Sequence, residues 1–258
     1  MIKLYFIAIL VMTIGMFACL NQAHAQNTVA MMKPVTPVKI DGTTAEWGAT
    51  LAQYDSKSKL SYTIASDDSM IYIVATSVDR LTKSKMMFGG LTVSLNTEGK
   101  KKKAFSITYP SPGSGRFMPP AEGEKPMPPT GIKISGFKDI DGKVTTTENM
   151  YGFKASGTMN EEYTLTYEMA IPVKLLGAKP GADLFINISI NGFNLTKVRT
   201  ETATSGTIAR NRSGGRSSGR SSNRDGESGA SLAGGSGDAG DDMAESMDFW
   251  IKTTMPVH

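Results

Sequence analysis

Apolar and polar residues alternate over several stretches of the chain, and helical periodicity is nearly absent. In 163–171 and 184–191 apolar residues fall on every second position, and Glu168, Asn187 and Ser189 are among the polar residues between them. Successive strand residues point to opposite faces of a sheet. The pattern therefore predicts strands with one buried face and one face in water.

Ten strands are predicted, separated by turns rich in Gly, Pro, Asp and Ser. They lie near residues 36–40, 60–65, 70–78, 91–96, 103–109, 132–138, 151–157, 163–171, 184–191 and 247–255. Between two of them, Asp139 to Gly142 predicts a hairpin turn. Many short strands, each with one apolar face, predict an all-β protein whose two antiparallel sheets pack as a jelly-roll-like β-sandwich.

Two long segments do not fit the sheets. Residues 110–131 are rich in Pro and Gly and lack periodicity, which predicts a long surface loop. Residues 205–242 have almost no apolar side chains to offset the entropy of ordering, which predicts a disordered insertion. This segment is an insertion and not a tail, because "MDFWIKTTM" after it regains strand character.

The first 25 residues of the chain predict export. Lys3 precedes the apolar run "LYFIAILVMTIGMFACL", and "AHA" before Gln26 is a small-x-small cleavage site, so residues 1–25 are predicted to be a signal peptide. The alternatives are an uncut membrane anchor and a lipoprotein attached at Cys19. Residues 26–258 are then a single periplasmic or extracellular domain, in which no later segment is long and apolar enough to span a bilayer.

Composition excludes most catalytic chemistry. After cleavage no Cys is left and His258 is the last His, so a disulfide, a Cys or His zinc site, a Cys nucleophile and a Ser-His-Asp triad are excluded. Carboxylate pairs remain, but Glu161 and Glu162 are neighbours before a strand and point to opposite faces. The net charge of +4 is too small to predict a nucleic-acid partner. We therefore expect no enzyme activity.

The stretch "EMAIPVKLLGAKPGADLFINISINGF", residues 168–193, predicts a corner of the sandwich. Pro172 has no N–H to donate, so strand pairing should end there. "VKLLG" is predicted to form a single helical turn that caps the core with Leu175 and Leu176. Pro180 and the glycine after it then turn the chain into the next strand.

This corner resembles the matching corner of family 9 carbohydrate-binding modules. The matching residues are Glu168, Ile171, Pro172, Leu176, Gly177, Pro180 and Gly181. "IDGTTAEW" and "ASDDSMIYIVATSVDR", residues 40–47 and 65–80, are similar to two further motifs of the family and occur in the same order. The resemblance covers about residues 35–255 apart from the two loops. It implies a β-sandwich and makes a glycan the leading ligand class.

Sugar binding in such modules depends on flat aromatic faces, and one of these is missing. Ser66 stands where sugar-binding members of the family carry a stacking Trp. Trp47 and Trp250 remain, and the motif around Trp47 suggests packing at the edge of the sandwich. Phe249 and Trp250 are consecutive strand residues, so one should face the core and the other should face outward. The outward ring is the better candidate for stacking on a sugar.

Two charged turns are further candidates for binding. Asp67 and Asp68 could coordinate Ca²⁺ as hard oxygen ligands, as some relatives do, or they could form a solvated turn. No other cofactor is predicted. Lys100 to Lys103 could contact an anionic polysaccharide or a membrane surface, or they could form a solvated turn that protects a sheet edge.

The sequence thus predicts an exported, non-catalytic binding module with carbohydrate as its leading ligand. The alternative is a structural or protein-interaction protein of the cell envelope that has kept the sandwich without a sugar site. Ser66 favours this alternative. The sequence does not indicate an oligomeric state.

Overall fold

The computed structural model of the chain describes residues 28–35, 37–48, 50–111, 129–138, 140–145, 149–194 and 242–255. The predicted signal peptide, most of the loop 110–131 and all of the predicted insertion except Asp242 lie outside these residues. No helix in the described part of the chain is both apolar enough and long enough to cross a membrane.

Two antiparallel sheets form the described part of the chain, which confirms the predicted all-β sandwich. The strands are β1 (Gln53–Asp55), β2 (Leu60–Ser66), β3 (Met70–Ser77), β4 (Leu91–Asn96), β5 (Phe105–Tyr109), β6 (Gly131–Phe137), β7 (Ile140–Thr145), β8 (Lys154–Met159), β9 (Leu165–Pro172), β10 (Asp183–Ile190) and β11 (Met247–Thr254). One sheet has the order β1-β2-β3-β9-β8, and the other has the order β11-β10-β4-β5-β6-β7.

The core lies between the facing sides of the two sheets. Ile171 in β9 and Ile188 in β10 are both fully buried, as the alternation predicts. The rings of Tyr109 and Tyr167 meet across the interior with centroids 5.1 Å apart, in an edge-to-face arrangement. Such packing contributes beyond the area that it removes from water.

The corner after β9 has the predicted form. Strand pairing ends at Pro172, and Val173–Leu175 forms one turn of 3-10 helix. Leu176 is buried, and the amide of Val173 donates to the carbonyl of Ser69 at 2.9 Å. The corner is therefore held against the turn that joins β2 to β3.

A helix, α1 (Arg80–Gly89), follows β3, although the sequence shows almost no helical periodicity. The Asp79 side chain accepts a hydrogen bond from the Thr82 amide at 3.0 Å and caps the first turn. The buried face holds Thr82, Lys85 and Met86. Thr82 donates to the Ser58 carbonyl at 2.7 Å, and Lys85 donates to the Glu245 carbonyl at 2.7 Å. Two polar residues on the buried face conceal the apolar pattern of the helix.

The strand prediction is wrong at three places. Residues 37–40 form no strand, and the short strand β1 and the strand β7 were not predicted. The sequence places a turn at 139–142, but Asp141 and Gly142 belong to β7, which pairs with β6. The hairpin exists, but its turn begins earlier, after Phe137.

Residues 28–32 connect the two sheets. Thr28 pairs with Lys252 of β11, and Met32 pairs with Ala65 of β2, both in parallel orientation. The segment therefore covers part of the free edge of β11 and the end of β2 that β1 leaves unpaired, which limits pairing with other chains.

The two ends of the long insertion meet. The Phe193 amide donates to the Met243 carbonyl at 2.9 Å, and the Gly192 amide donates to the Ser246 hydroxyl at 3.1 Å. The Glu245 carbonyl, in the same segment as Met243, accepts a hydrogen bond from the Lys85 ammonium group. The chain thus leaves the sandwich and re-enters it at one place.

Candidate functional site: the outer faces of the two sheets

The outer face of the five-stranded sheet is covered by the chain itself. Trp47, Ala65, Tyr72, Val74 and Ala170 form a second buried apolar cluster on this face. Val38, Ile40 and Leu51 pack against the cluster. They lie between residues 37 and 52, before β1, and from here on we call this stretch the N-terminal segment. Residues 37–40 therefore act as a cover and not as the predicted strand, and this face offers little surface for a ligand.

Glu168 lies at the centre of this covered face. The alternation places its side chain in water, but the structure buries it completely. One carboxylate oxygen accepts from the amides of Asp41 at 2.9 Å and Gly42 at 2.6 Å, and the other accepts from the Trp47 indole at 2.7 Å. The prediction fails because the N-terminal segment, which is distant in sequence, covers the strand.

These contacts join two of the motifs that carry the family resemblance. Asp41, Gly42 and Trp47 belong to "IDGTTAEW", and Glu168 begins the corner stretch. Gly42 has φ of +85°, and a Cβ there would meet the Thr158 side chain at 2.8 Å, so the turn requires glycine. Burial raises the pKa of Glu168, and the hydrogen bonds from Trp47 and the two amides oppose that rise.

Trp47 therefore has a packing role in this structure. Its side chain is buried, its N–H is bonded to Glu168, and its ring centroid lies 6.0 Å from that of Tyr72. Neither face of the ring is open to a sugar. This agrees with what the motif around Trp47 suggests.

The outer face of the six-stranded sheet carries mostly polar side chains, in contrast, although five of its residues are buried: Ser94, Asn96, Phe185, Asn187 and Ser189. Its side chains run in rows across the strands, and we call this surface the polar face. It consists of Thr92, Ser94, Asn96, Ser106, Thr108, Lys133, Phe185, Asn187, Ser189, Asp248, Trp250 and Lys252. Hydroxyl pairs link the strands, with Thr92 and Thr108 2.8 Å apart and Ser94 and Ser106 2.9 Å apart.

Phe249 and Trp250 point to opposite sides of β11. Phe249 is opposite Ile188 and packs inward on Tyr62, with ring centroids 5.2 Å apart. Trp250 is opposite Asn187 on the polar face and is partly exposed. Of the three aromatic candidates, Trp250 is the one placed where a ligand could stack on it.

Asn187, beside Trp250, has an unused acceptor. Its Nδ2 donates to Asp248 Oδ2 at 2.9 Å and to the Phe249 carbonyl at 3.0 Å. The residue is fully buried, and its Oδ1 has no hydrogen-bond partner among the described residues. An unpaired buried acceptor costs about 1–3 kcal/mol, and a ligand reaches this atom only if neighbouring side chains move.

Phe185 adds a second aromatic ring, which the sequence interpretation missed, but it is buried and offers no open face to a sugar. It lies on the polar face of β10, opposite Lys252, whose ammonium group stands 5.9 Å from the ring centroid. The same ammonium group pairs with Asp183 at 2.7 Å. The available signal was its position, because Phe185 falls on the polar half of the alternation in β10.

Asp67 and Asp68 lie in the turn between β2 and β3, away from the polar face. Asp67 accepts hydrogen bonds from the amides of Ser69 and Met70 and, at 2.6 Å, from the Tyr72 hydroxyl. Burial would raise the pKa of Asp67, but these hydrogen bonds outweigh it and hold the pKa below its ordinary value. The described residues contain no cluster of three or more His, Cys, Asp or Glu that could hold a metal ion.

An open pocket of about 310 Å³ lies beside this turn. Asp68, Met70, Tyr151, Pro172 and Lys174 are among the residues that line it. Tyr151 provides an aromatic wall, and the two charged residues lie at exposed positions. The predicted carboxylate neighbours Glu161 and Glu162 are exposed in the turn before β9 and do not line this pocket.

Comparison with known proteins adds no assignment. Neither known protein families, nor curated proteins, nor solved structures show a match to this chain.

Proposed function

We propose that this protein is an exported, non-catalytic binding module whose ligand is a carbohydrate bound on the polar face. The observation that carries the proposal is the pairing of Trp250 with Asn187. Trp250 is a partly exposed ring on a mostly polar sheet face, and Asn187 opposite it is buried and donates to the exposed carboxylate of Asp248.

The chemistry of this surface suits a sugar. The C–H face of a pyranose packs on a flat aromatic ring, and its hydroxyl groups need donors and acceptors at the ring edge. Trp250 offers the ring, and the exposed carboxylate of Asp248, which Asn187 holds by a hydrogen bond, offers an acceptor beside it. Strand side chains held by inter-strand hydroxyl pairs change little in position on binding, so little ordering cost is added.

The sequence resemblance supports the same ligand class at a different location. Ser66 is buried, and its hydroxyl donates to the carbonyls of Asp67 and Met70. A stacking residue at that position is therefore absent, and the proposal assigns the stacking role to Trp250 on the other sheet. The predicted signal peptide supports a periplasmic or extracellular setting, where glycans are available.

The test is titration of the mature chain with a broad panel of soluble oligosaccharides, followed by calorimetry and tryptophan fluorescence. We expect saturable binding by the parent chain and about tenfold weaker binding by Trp250→Ala, since a stacked ring contributes on the order of 1 kcal/mol or more. The matched control is Tyr54→Ala, which removes an aromatic residue that is 62% exposed on the other sheet. It should bind like the parent.

Absence of heat and of spectral change across the panel would contradict the proposal. Binding that survives Trp250→Ala would contradict a site on the polar face and favour the pocket beside Asp68.

A second candidate function is protein interaction in the envelope. Val78 and Tyr163 are 71% and 70% exposed. They lie at the same end of the five-stranded sheet, because Ser77 pairs with Leu165. Contiguous exposed apolar patches mark interaction surfaces, and these two side chains would form part of one at this end of the sheet. Self-association that is lost in a Val78→Ser, Tyr163→Ser double variant, in a chain that binds no glycan, would support this function.

A further inference from the structure

The hairpin between β4 and β5 reaches over the polar face. Lys103 lies in this hairpin, yet its ammonium group stands 3.8 Å from Asp248 on β11. Because β10 lies between β4 and β11, the Lys103 side chain must cross β10 above the row that contains Asn187. The start of the hairpin is fixed, since Asn96 Oδ1 accepts from the amides of Glu98 and Lys100.

The acidic groups around the polar face are already paired. Asp183 pairs with Lys252, Glu98 with Lys100, and Asp248 with Lys103. All three pairs are partly exposed, so they are weak and can exchange partners with a ligand.

Several lysines around the polar face have no such partner. Lys101 and Lys102 in the hairpin and Lys133 on β6 are exposed, and none of the three has an acidic partner among the described residues. The row that starts at Asp248 runs through Ser189, Thr92 and Thr108 to Lys133, and the paired position on β7 is Lys143. Four strand spacings separate Asp248 from Lys133, about 19 Å. The positive charge thus borders a surface long enough for an oligomeric ligand.

We infer that the ligand of the polar face is an anionic glycan, whose carboxylate or sulfate groups are bound by the hairpin lysines and Lys133. This inference rests on the proposed function and specifies its ligand class. Trp250 stacks on a sugar ring, while Lys101, Lys102 and Lys133 attract the charged substituents of neighbouring rings. Lysine ammonium groups form stronger hydrogen bonds with charged acceptors than with neutral ones. A neutral glycan would use the ring and leave these lysines unpaired.

The experiment uses pairs of probes that differ in charge but not in backbone. They are oligogalacturonide against its methyl ester, oligomannuronate against its methyl ester, and dextran sulfate against dextran. We expect the parent chain to bind at least one charged probe about tenfold more tightly than its neutral partner. Binding of that probe should weaken at least about threefold between 50 and 300 mM NaCl, since exposed charges are screened by salt.

Two double variants locate the charge effect. Lys101→Gln with Lys102→Gln should weaken binding of the charged probe about fivefold and leave that of the neutral probe unchanged. Lys57→Gln with Lys154→Gln makes the same change in net charge at exposed positions on the side of the five-stranded sheet, away from the pocket beside Asp68, and should bind like the parent. Equal weakening by both double variants would overturn the inference, because only the net charge would then matter.

The remaining outcomes separate this inference from the proposed function. Equal binding of charged and neutral probes, with loss of both in Trp250→Ala, would overturn the anionic ligand and keep carbohydrate binding. No binding of any glycan would overturn both. Binding of vesicles containing anionic phospholipid by a chain that binds no glycan would also overturn both, and would assign the lysines to a membrane surface.

Discussion

Glu168 illustrates what a carboxylate needs in order to be buried. Moving a carboxylate out of water costs several kcal/mol unless hydrogen bonds replace its hydration. The Asp41 and Gly42 amides and the Trp47 indole supply these hydrogen bonds, and all three come from one short segment. The side chain therefore ties the N-terminal segment to the centre of the five-stranded sheet. Its loss should release that segment.

Replacing Glu168 by Gln is expected to lower the free energy of unfolding by about 1–3 kcal/mol. Gln has one acceptor oxygen, so either the Trp47 indole or the two amides would face an NH₂ donor. Urea unfolding followed by tryptophan fluorescence measures the difference. Glu162→Gln, at an exposed position in the turn before β9, is the control and should stay within about 0.5 kcal/mol of the parent. Unchanged stability in Glu168→Gln would contradict the importance of this contact.

Asp67 predicts a loss of stability in acid. Burial raises its pKa, but the hydrogen bonds from Tyr72, Ser69 and Met70 prevail, so the folded-state pKa lies below the unfolded value of about 3.9. A depressed folded pKa contributes stability that is fully present above the unfolded pKa and is lost as pH falls through the folded pKa.

The advantage of the parent over Asp67→Asn should therefore be constant above about pH 5 and should shrink as the pH falls below about 4. Denaturant unfolding of both chains between pH 2.5 and 7 measures this difference. A difference that stays constant down to pH 2.5 would show that the hydrogen bonds do not hold the carboxylate ionised. Asp183→Asn, at an exposed position paired with Lys252, provides a comparison for a surface carboxylate.

At the level of elements, the sequence predicts what local alternation determines. The strands with a continuous apolar half, such as β9 and β10, lie within a few residues of their predicted positions. The corner at Pro172 is also as predicted, because the missing N–H of proline is a local property. These features depend on neighbours in the chain and not on distant contacts.

The elements that were missed depend on distant contacts. The buried face of helix α1 does not show an apolar pattern in the sequence, because it includes the polar residues Thr82 and Lys85. Their side chains donate hydrogen bonds to the carbonyls of Ser58 and Glu245. The capping residue Asp79 and the glycines at 89 and 90 were the available signals for it. The alternation predicts that Glu168 faces water, because the sequence of β9 does not indicate that a distant segment covers this residue. In the candidate site, the outward direction of Trp250 depended on which half of β11 packs inward, and alternation alone left both possibilities open.

At the scale of the whole molecule, the two outer faces of the sandwich differ. The N-terminal segment closes the outer face of the five-stranded sheet with an apolar cluster, and the other sheet keeps a polar surface with one partly exposed Trp. The two ends of the insertion meet at one point, between the end of β10 and the start of β11. Every strand of the two sheets lies in the described residues on either side of the stretch between Asn194 and Asp242.

Replacing residues 195–241 by a short Gly-Ser linker is expected to leave the melting temperature within a few degrees of the parent. The Phe193 amide and the Met243 carbonyl are already 2.9 Å apart, so a short linker can join the ends without strain. Shortening a loop changes its closure entropy by only about 0.6 kcal/mol per halving of length, and in the stabilising direction. Differential scanning calorimetry measures the effect.

Extending the replacement through residue 246 is the matched control. It removes the partners of Lys85 and Gly192, leaves a buried ammonium group unpaired, and should lower the melting temperature clearly. A large loss of stability on the shorter replacement would mean that the inserted residues contribute to the folded core.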